Sequence, residues 1–336
     1  MAQKIDLIEL YLPDCVPSRA GVLPNPPKLA GWNFLLNMAT QVACDLKADE
    51  QISQYFFSNT ISPIPHAALC AYFCDLEKAH WIKADPVKYS LDISHGFILP
   101  CEVKLDNDNH GNLISDLNQF LSQDGLSLKV IDQHNWLIGS QKPINYDVPN
   151  LVNIVNQEVY FDQISGKDKI FWQKLSAELQ LLLRQKKTSE EDPDGVYFWG
   201  AGELPQVKPK TQFSKIISNN YAILGLAKLA GVDFEQIDFK QPIDFFDFQS
   251  NNHNSNNSIL VATQDFSLNW RLGKIEEYGE LLVFFDKMLL ELIKLIKIGT
   301  LKKLIINTGE FNYQLTKCNI IKSYFLKYFK PKNLYK

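Results

Sequence analysis

No run of about 20 uncharged apolar residues occurs anywhere in the chain, which argues against a membrane-spanning helix. The opening stretch, MAQKIDLIELYLPDC, carries Lys4, Asp6 and Glu9 inside its apolar run and lacks a small-residue cleavage site, so no secretory signal is expected. The six cysteines, at 15, 44, 70, 74, 101 and 318, include no CxxC pair. Cys70 and Cys74 stand one helical turn apart, a spacing that suits core packing better than a disulfide framework, and reduced thiols in a cytoplasmic protein are expected. The six histidines, at 66, 80, 95, 110, 134 and 253, make no HxH, HxxxH or HExxH pattern, and only His253 follows residue 134. A zinc or two-metal site drawn from the C-terminal half would have to rely on carboxylates. GxSxG is absent too, so nothing marks a serine hydrolase elbow.

Arginine is missing from the most basic part of the chain. Residues 294–336 hold ten lysines and a single acid, Glu310, while the whole chain carries a net charge of −4. Bidentate recognition of bases and phosphates favours Arg, so no nucleic-acid partner is expected, and a solvated helix face or a dock onto the acidic body is expected instead. With 46% hydrophobic and 21% charged residues in 336, the composition is that of a globular protein with a sizeable core.

The periodicities predict an α/β fold: a mixed sheet with flanking helices and an α+β insertion. IDLIELYL (5–12) reads as a buried strand, ILVAT (259–263) and LKKLIINT (301–308) as two more, joined by a long amphipathic helix around Ile275–Ile296. That strand–helix–strand order fits a parallel crossover. Helices are also expected over Leu29–Cys44, Ala67–Leu76, 168–187 and 220–231, the last stopping at Gly231 as a C-cap. The short runs of 79–140 read as antiparallel strands around a helix at Leu113–Leu121. The expected organisation is a core of 1–78 and 141–316, an insertion at 79–140 and a basic helix or tail at 317–336. The Asn-rich stretch 249–258 reads as a surface loop in which His253 is solvated.

Two stretches carry candidate chemistry. VYFWGAGELP (196–205) ends a β-favouring run at Trp199 and places Gly200 and Gly202 around Ala201. The third glycine of a dinucleotide fingerprint is replaced by Pro205, Pro209 follows, and no Gly-Lys-Ser/Thr occurs, so both nucleotide cradles are excluded. The turn still permits a close backbone approach or an anion contact through bare N–H groups. HWIKADP (80–86) reads as a strand on which period-two alternation sets Trp81, Lys83 and Asp85 on one face, either lining a binding surface or simply pairing Lys with Asp on a half-exposed strand. The candidate ligand-binding residues are thus Trp81, Lys83, Asp85, Trp199, Gly200, Gly202 and Glu203.

SPIPHAALCAYFCDLEKAHWIKADPVKYSLD (62–92), with its ALC helix followed by WIKADPV, and WQKLSAELQLLLRQ…DGVYFWGAGELP (172–205) together resemble the RpfE-type bacterial regulatory proteins. The blocks keep that family's order and similar spacing, and the likeness extends to a closing aromatic and basic tail. The family is in turn distantly similar to archaeal-type cofactor-independent phosphoglycerate mutases of the alkaline phosphatase superfamily, through Gly200-Ala201-Gly202-Glu203-Leu204-Pro205, Gly225-Leu226-Ala227 and Gly231. That resemblance implies a metal-binding Asp after the first strand, a Ser or Thr nucleophile nearby, and an Asp-His pair after a late strand. Asp14 and Ser18 match the first two, although Pro13 and Cys15 depart from the usual Asp-Gly. Gly309-Glu310 stands where Asp-His is expected.

The reading implied is a degenerate relative: an RpfE-type regulatory or ligand-sensing protein without two-metal phosphoryl transfer, needing no cofactor and meeting a small ligand or a protein partner. Beside it stand an enzyme of the mutase or phosphatase kind, with Asp14, Ser18 and Glu310 as catalytic candidates and Mn or Zn held by carboxylates, and a binding protein acting through its basic tail.

Overall fold

A computed structural model describes residues 4–23, 25–59, 63–77, 79–91, 96–103, 108–155, 163–190, 192–239 and 257–322. The chain divides into two compact units, residues 1–60 with 209–336 and residues 61–208. In chain order the first unit opens with β1 (Ile5–Tyr11), a short 3-10 turn (Pro17–Val22), α1 (Ala30–Met38), β2 (Thr40–Ala43) and α2 (Ala48–Gln54). The second unit follows with α3 (His66–Phe73), β3 (His80–Leu91), β4 (Gly96–Pro100), α4 (Asp108–Ser122), β5 (Leu126–Val130), β6 (Trp136–Ser140), α5 (Leu151–Ile154), α6 (Lys169–Lys186) and β7 (Gly195–Gly202). The chain returns to the first unit for β8 (Lys215–Ser218), α7 (Tyr221–Ala230), β9 (Asp233–Gln236), β10 (Ser258–Ala262), α8 (Asp265–Arg271), α9 (Ile275–Ile298), β11 (Leu301–Asn307) and β12 (Phe311–Thr316).

The first unit is built on a seven-stranded sheet of order β2-β12-β11-β1-β10-β8-β9. β11, β1, β10, β8 and β9 run parallel, and β12 runs antiparallel to β11, so the mixed α/β class expected from the sequence is the one observed. β1 lies between the two strands that α8 and α9 connect, and its apolar residues explain the place: Ile8, Leu10 and Leu12 enter one core with Val261, Leu304 and Ile306. α9 supplies Phe285, Leu289 and Leu292 to that core at helical spacing. α1 closes on α9 through Gly31, where a Cβ would come within 2.6 Å of the Asp286 carbonyl, and the Trp32 N–H donates to the buried Asp286 carboxylate at 2.9 Å. α7 ends on Gly231 in the left-handed conformation, as its sequence predicts.

α1 stops at Met38, short of the expected Cys44, because residues 40–43 are taken as an edge strand by β12. Residues 317–322 continue as helix, whereas the remainder of the basic tail, the Asn-rich stretch 249–256 and His253 lie outside the described residues.

The second unit holds a sheet of order β4-β3-β6-β5, with β7 paired along the other side of β3. It is larger than the stretch 79–140 expected as an insertion, since α3, α6 and β7 belong to it. One face carries Ile82, Ala84, Val196 and Phe198 into a core with Leu117 and Leu121 of α4 and Trp172, Leu175, Leu179 and Leu183 of α6. The other face of β3 and β7 packs against α3.

Candidate functional site

Parallel strands gather their C-terminal ends at one edge of a sheet, and the first unit presents polar side chains there. β1 runs out through Leu12 and Pro13 to Asp14, whose φ of +62° is the left-handed region an L residue rarely adopts. Three contacts hold that turn. The Asp14 N–H donates to the Thr308 carbonyl at 3.0 Å, the Tyr278 hydroxyl donates to the Asp14 carbonyl at 2.9 Å, and Arg19 Nη1 donates to the same carbonyl at 3.1 Å. The Arg19 guanidinium also faces the Asp14 carboxylate at 4.0 Å and lies 4.2 Å from the centre of the Trp270 ring. Ser18 is exposed on the 3-10 turn.

The loop after β11 meets the loop after β1, so that a Cβ on Gly309 would contact Pro13 and the Asp14 nitrogen. Asp14 and Gly309-Glu310 therefore lie at one edge of the sheet, with Glu310 exposed in the β11–β12 hairpin.

Amides fill much of the rest of that edge. Asn220 caps α7, its Oδ1 accepting from the Ala222 and Ile223 N–H groups, and its Nδ2 donates to Gln264 at 2.9 Å. Asn219 donates to the Asp265 carboxylate at 2.7 Å. Asn307 accepts from the Gly309 N–H at 2.8 Å and donates to the Tyr55 hydroxyl at 3.2 Å. Tyr55 in turn hydrogen-bonds Glu9, which is buried in β1. Burial pushes the Glu9 carboxyl above the ordinary glutamate range, against the opposing pull of the Tyr55 hydrogen bond and Lys303.

Arg19, Asn219, Asn220, Asn307, Tyr55 and Glu9 were missed from sequence. The signal that could have found Asn219, Asn220 and Asn307 is the polar ending of two apolar runs, IISNN and IINTG. Among the described residues no three His, Cys, Asp or Glu side chains gather as a metal site, and the Asp14 carboxylate is faced by the Arg19 guanidinium, a cation that does not fit beside two divalent ions.

The second unit brings Trp81, Lys83, Asp85 and Trp199 into one enclosed cluster. All four side chains are buried, with Lys83 4% and Asp85 6% exposed, which corrects the expectation of a half-exposed strand. The reason is α3, which covers the face that alternation assigns to these residues. Lys83 Nζ stands 3.0 Å from Asp85 Oδ1 and donates to Asn135 Oδ1 at 2.6 Å. The Trp199 indole N–H donates to Asp85 Oδ2 at 2.7 Å, and the Trp136 backbone N–H reaches Oδ1 at 3.3 Å. Asn135 donates onward to both oxygens of Asp132 at 2.9 Å. Burial raises the Asp85 carboxyl despite the pull of Lys83 and Trp199. Burial works against the Lys83 ammonium, yet Asp85, Cys70 and Asp132 together hold it above the ordinary lysine value.

Gly200 and Gly202 do not form the strand-ending turn expected of them. They belong to β7, which pairs Lys83 with Trp199 and Trp81 with Gly202, leaving one extra residue on β7 as a bulge. Gly200 takes φ +64° there, and a Cβ on it would meet the His66 Cβ at 3.0 Å. Gly202 at φ +147° faces Pro65, whose Cβ would lie 2.9 Å from its own. The Gly-Ala-Gly stretch is thus the seat of the first turn of α3. Trp81 lies against Gly139 of β6, and Glu203 is exposed, 3.9 Å from His80. Chemically the cluster is a pre-paired ammonium and carboxylate inside the protein, with their hydrogen bonds met by protein groups.

No family model and no curated protein matches this chain. The solved structures that resemble it include the cofactor-independent phosphoglycerate mutase of Thermoplasma acidophilum, 11% identical over 93% of this chain and 90% of that one with a TM-score of 0.40, and the PH0037 protein of Pyrococcus horikoshii, 9% identical over 94% and 85% with a TM-score of 0.41. Likeness at this level transfers no residue role, and the RpfE-type resemblance rests on the two sequence blocks.

Proposed function

We propose that this chain is a regulatory or ligand-sensing protein of RpfE type, built on a phosphoglycerate-mutase-like scaffold, that binds a small ligand or a protein partner and does not transfer phosphoryl groups through two metal ions. One observation carries the reading: the carboxylate at the end of β1 is faced by the Arg19 guanidinium, while the neighbouring strand ends present the amides of Asn219, Asn220, Gln264 and Asn307. Two divalent ions need several anionic or imidazole ligands to balance their charge between attacking and leaving oxygens. Arginine at the end of β1 supplies the opposite sign. Amides, by contrast, exchange hydrogen bonds with an uncharged or singly charged ligand at little electrostatic cost.

The test is an assay of the full chain with Mn2+ or Zn2+ for phosphoglycerate mutase and phosphatase turnover, together with a metal titration. Absence of turnover and substoichiometric metal are expected. Stoichiometric metal with turnover, both lost in Asp14→Asn, would overturn the proposal and establish the enzyme reading with Asp14 and Glu310. That second reading is favoured by the contact of Gly309 with the Pro13–Asp14 backbone.

A further inference from the structure

α3 carries two cysteines on one face, a turn apart. Cys70 is 2% exposed and Cys74, which caps the helix, is half-buried; both are reduced, and their side chains hydrogen-bond one another. The helix ends immediately beyond them in a strained turn. Asp75 takes φ +53°, its N–H donating to the Tyr72 carbonyl at 3.3 Å while the Leu76 N–H donates to the Ala71 carbonyl at 3.0 Å. That is the Schellman pattern, with aspartate in the left-handed position glycine normally fills. The last turn of α3 is therefore the part of the helix most easily rearranged.

We infer that Cys70 and Cys74 form a reversible disulfide, which makes the end of α3 an oxidant-responsive cover over the Lys83–Asp85 pair. Residues four apart in a helix have Cα atoms about 6 Å apart, inside the range a disulfide accepts, and Cβ atoms about 5–6 Å apart, a little beyond it. The bond accordingly requires the last turn to tighten, with loss of the Cys74 N–H to Cys70 carbonyl hydrogen bond of 3.0 Å. Asp75 is freed from its left-handed conformation by the same movement.

The chemistry needs a peroxide as oxidant. The Cys74 sulfur, the more accessible of the two, attacks a peroxide oxygen; the O–O bond breaks, and a sulfenic acid and one water result. The Cys70 sulfur then attacks Cys74, the S–O bond breaks, and the Cys70 proton leaves with the hydroxide as a second water. Two electrons pass from the dithiol to the peroxide. Contact with Cys74 and burial push the Cys70 thiol far up, which keeps it from meeting the oxidant first; it resolves the sulfenic acid once the last turn of α3 has opened and its thiolate can form. Lys83 lies within electrostatic reach of Cys70, so movement of α3 is felt at the buried pair.

The experiment treats the reduced full chain with hydrogen peroxide and maps its cysteines by differential alkylation and mass spectrometry. Joint loss of labelling at Cys70 and Cys74, a linked peptide lighter by two hydrogens, and recovery with dithiothreitol are expected, with Cys70 keeping its label in Cys74→Ser. Oxidation of Cys74 to sulfinic acid while Cys70 stays alkylatable would overturn the inference. So would loss of the Cys70 label in Cys74→Ser as fast as in the parent. The mapping of the parent protein decides the question even where the variant does not fold.

Discussion

Asp14 and Asp85 both follow or line a central strand, and both meet a cation, yet the two units use them in opposite ways. In the first unit Asp14 sits half-exposed outside the strand end, its carboxylate 4.0 Å from Arg19. In the second unit Asp85 is inside the sheet under α3, 3.0 Å from Lys83 and held by two further N–H groups. An ion pair in contact with water is worth little, and its partners exchange readily with solvent or a ligand. A buried pair gains little over an apolar one, but its members depend on each other completely. The contrast assigns exchange to the strand ends of the first unit and fixed architecture to the middle of the second.

The largest effect that would break this contrast is at Asp85. Asp85→Ala strands the Lys83 ammonium and should cost about 3–5 kcal/mol in urea unfolding, whereas replacing both residues together by Met and Leu should recover most of that loss. A double variant as unstable as the single one would mean that the pair matters for more than its mutual neutralisation. Next comes the seat of α3. Gly200→Ala combines a left-handed φ with a 3.0 Å approach to His66, and should cost about 1–3 kcal/mol. Gly273→Ala in the first unit, at φ +68° with nothing within 4 Å, should cost less, so thermal unfolding of the two variants separates backbone strain from crowding.

Glu9 sharpens the comparison through pH. Its carboxyl is raised by burial, so the native state binds that proton more tightly than the unfolded chain does. Its contribution is fully present below the ordinary value of 4.5 and is lost as pH rises through the raised native value. Glu9→Gln should flatten that part of the stability profile, which melting curves across the window will show. The smallest effect is expected at Ser18, exposed on its turn, where Ser18→Ala should change stability by no more than about 0.5 kcal/mol.

Long local patterns were legible. The strand HWIKADPVKYSL is β3 from His80 to Leu91, and the amphipathic stretch from Ile275 is α9. The short strands β2 and β9 were not, because Thr40–Ala43 and Asp233–Gln236 are exposed along their length and carry no burial signal. Of the candidate residues, Trp81, Lys83, Asp85 and Trp199 do cluster, but alternation along β3 could not reveal that both faces of the strand are covered. The Gly-Ala-Gly stretch misled for the same reason. Its glycines answer to Pro65 and His66, more than a hundred residues earlier in the chain.

Sequence by itself determined the class of this protein: strands where apolar runs alternate or continue, helices where they recur every three to four residues, and a histidine inventory too thin for an imidazole-rich metal site in the C-terminal half. Tertiary structure alone decided that Lys83 and Asp85 are enclosed, that Gly200 and Gly202 seat a helix, and that Arg19 faces Asp14. Periodicity is a local property of the chain, whereas desolvation, close approach and charge pairing depend on which distant segments the fold brings together.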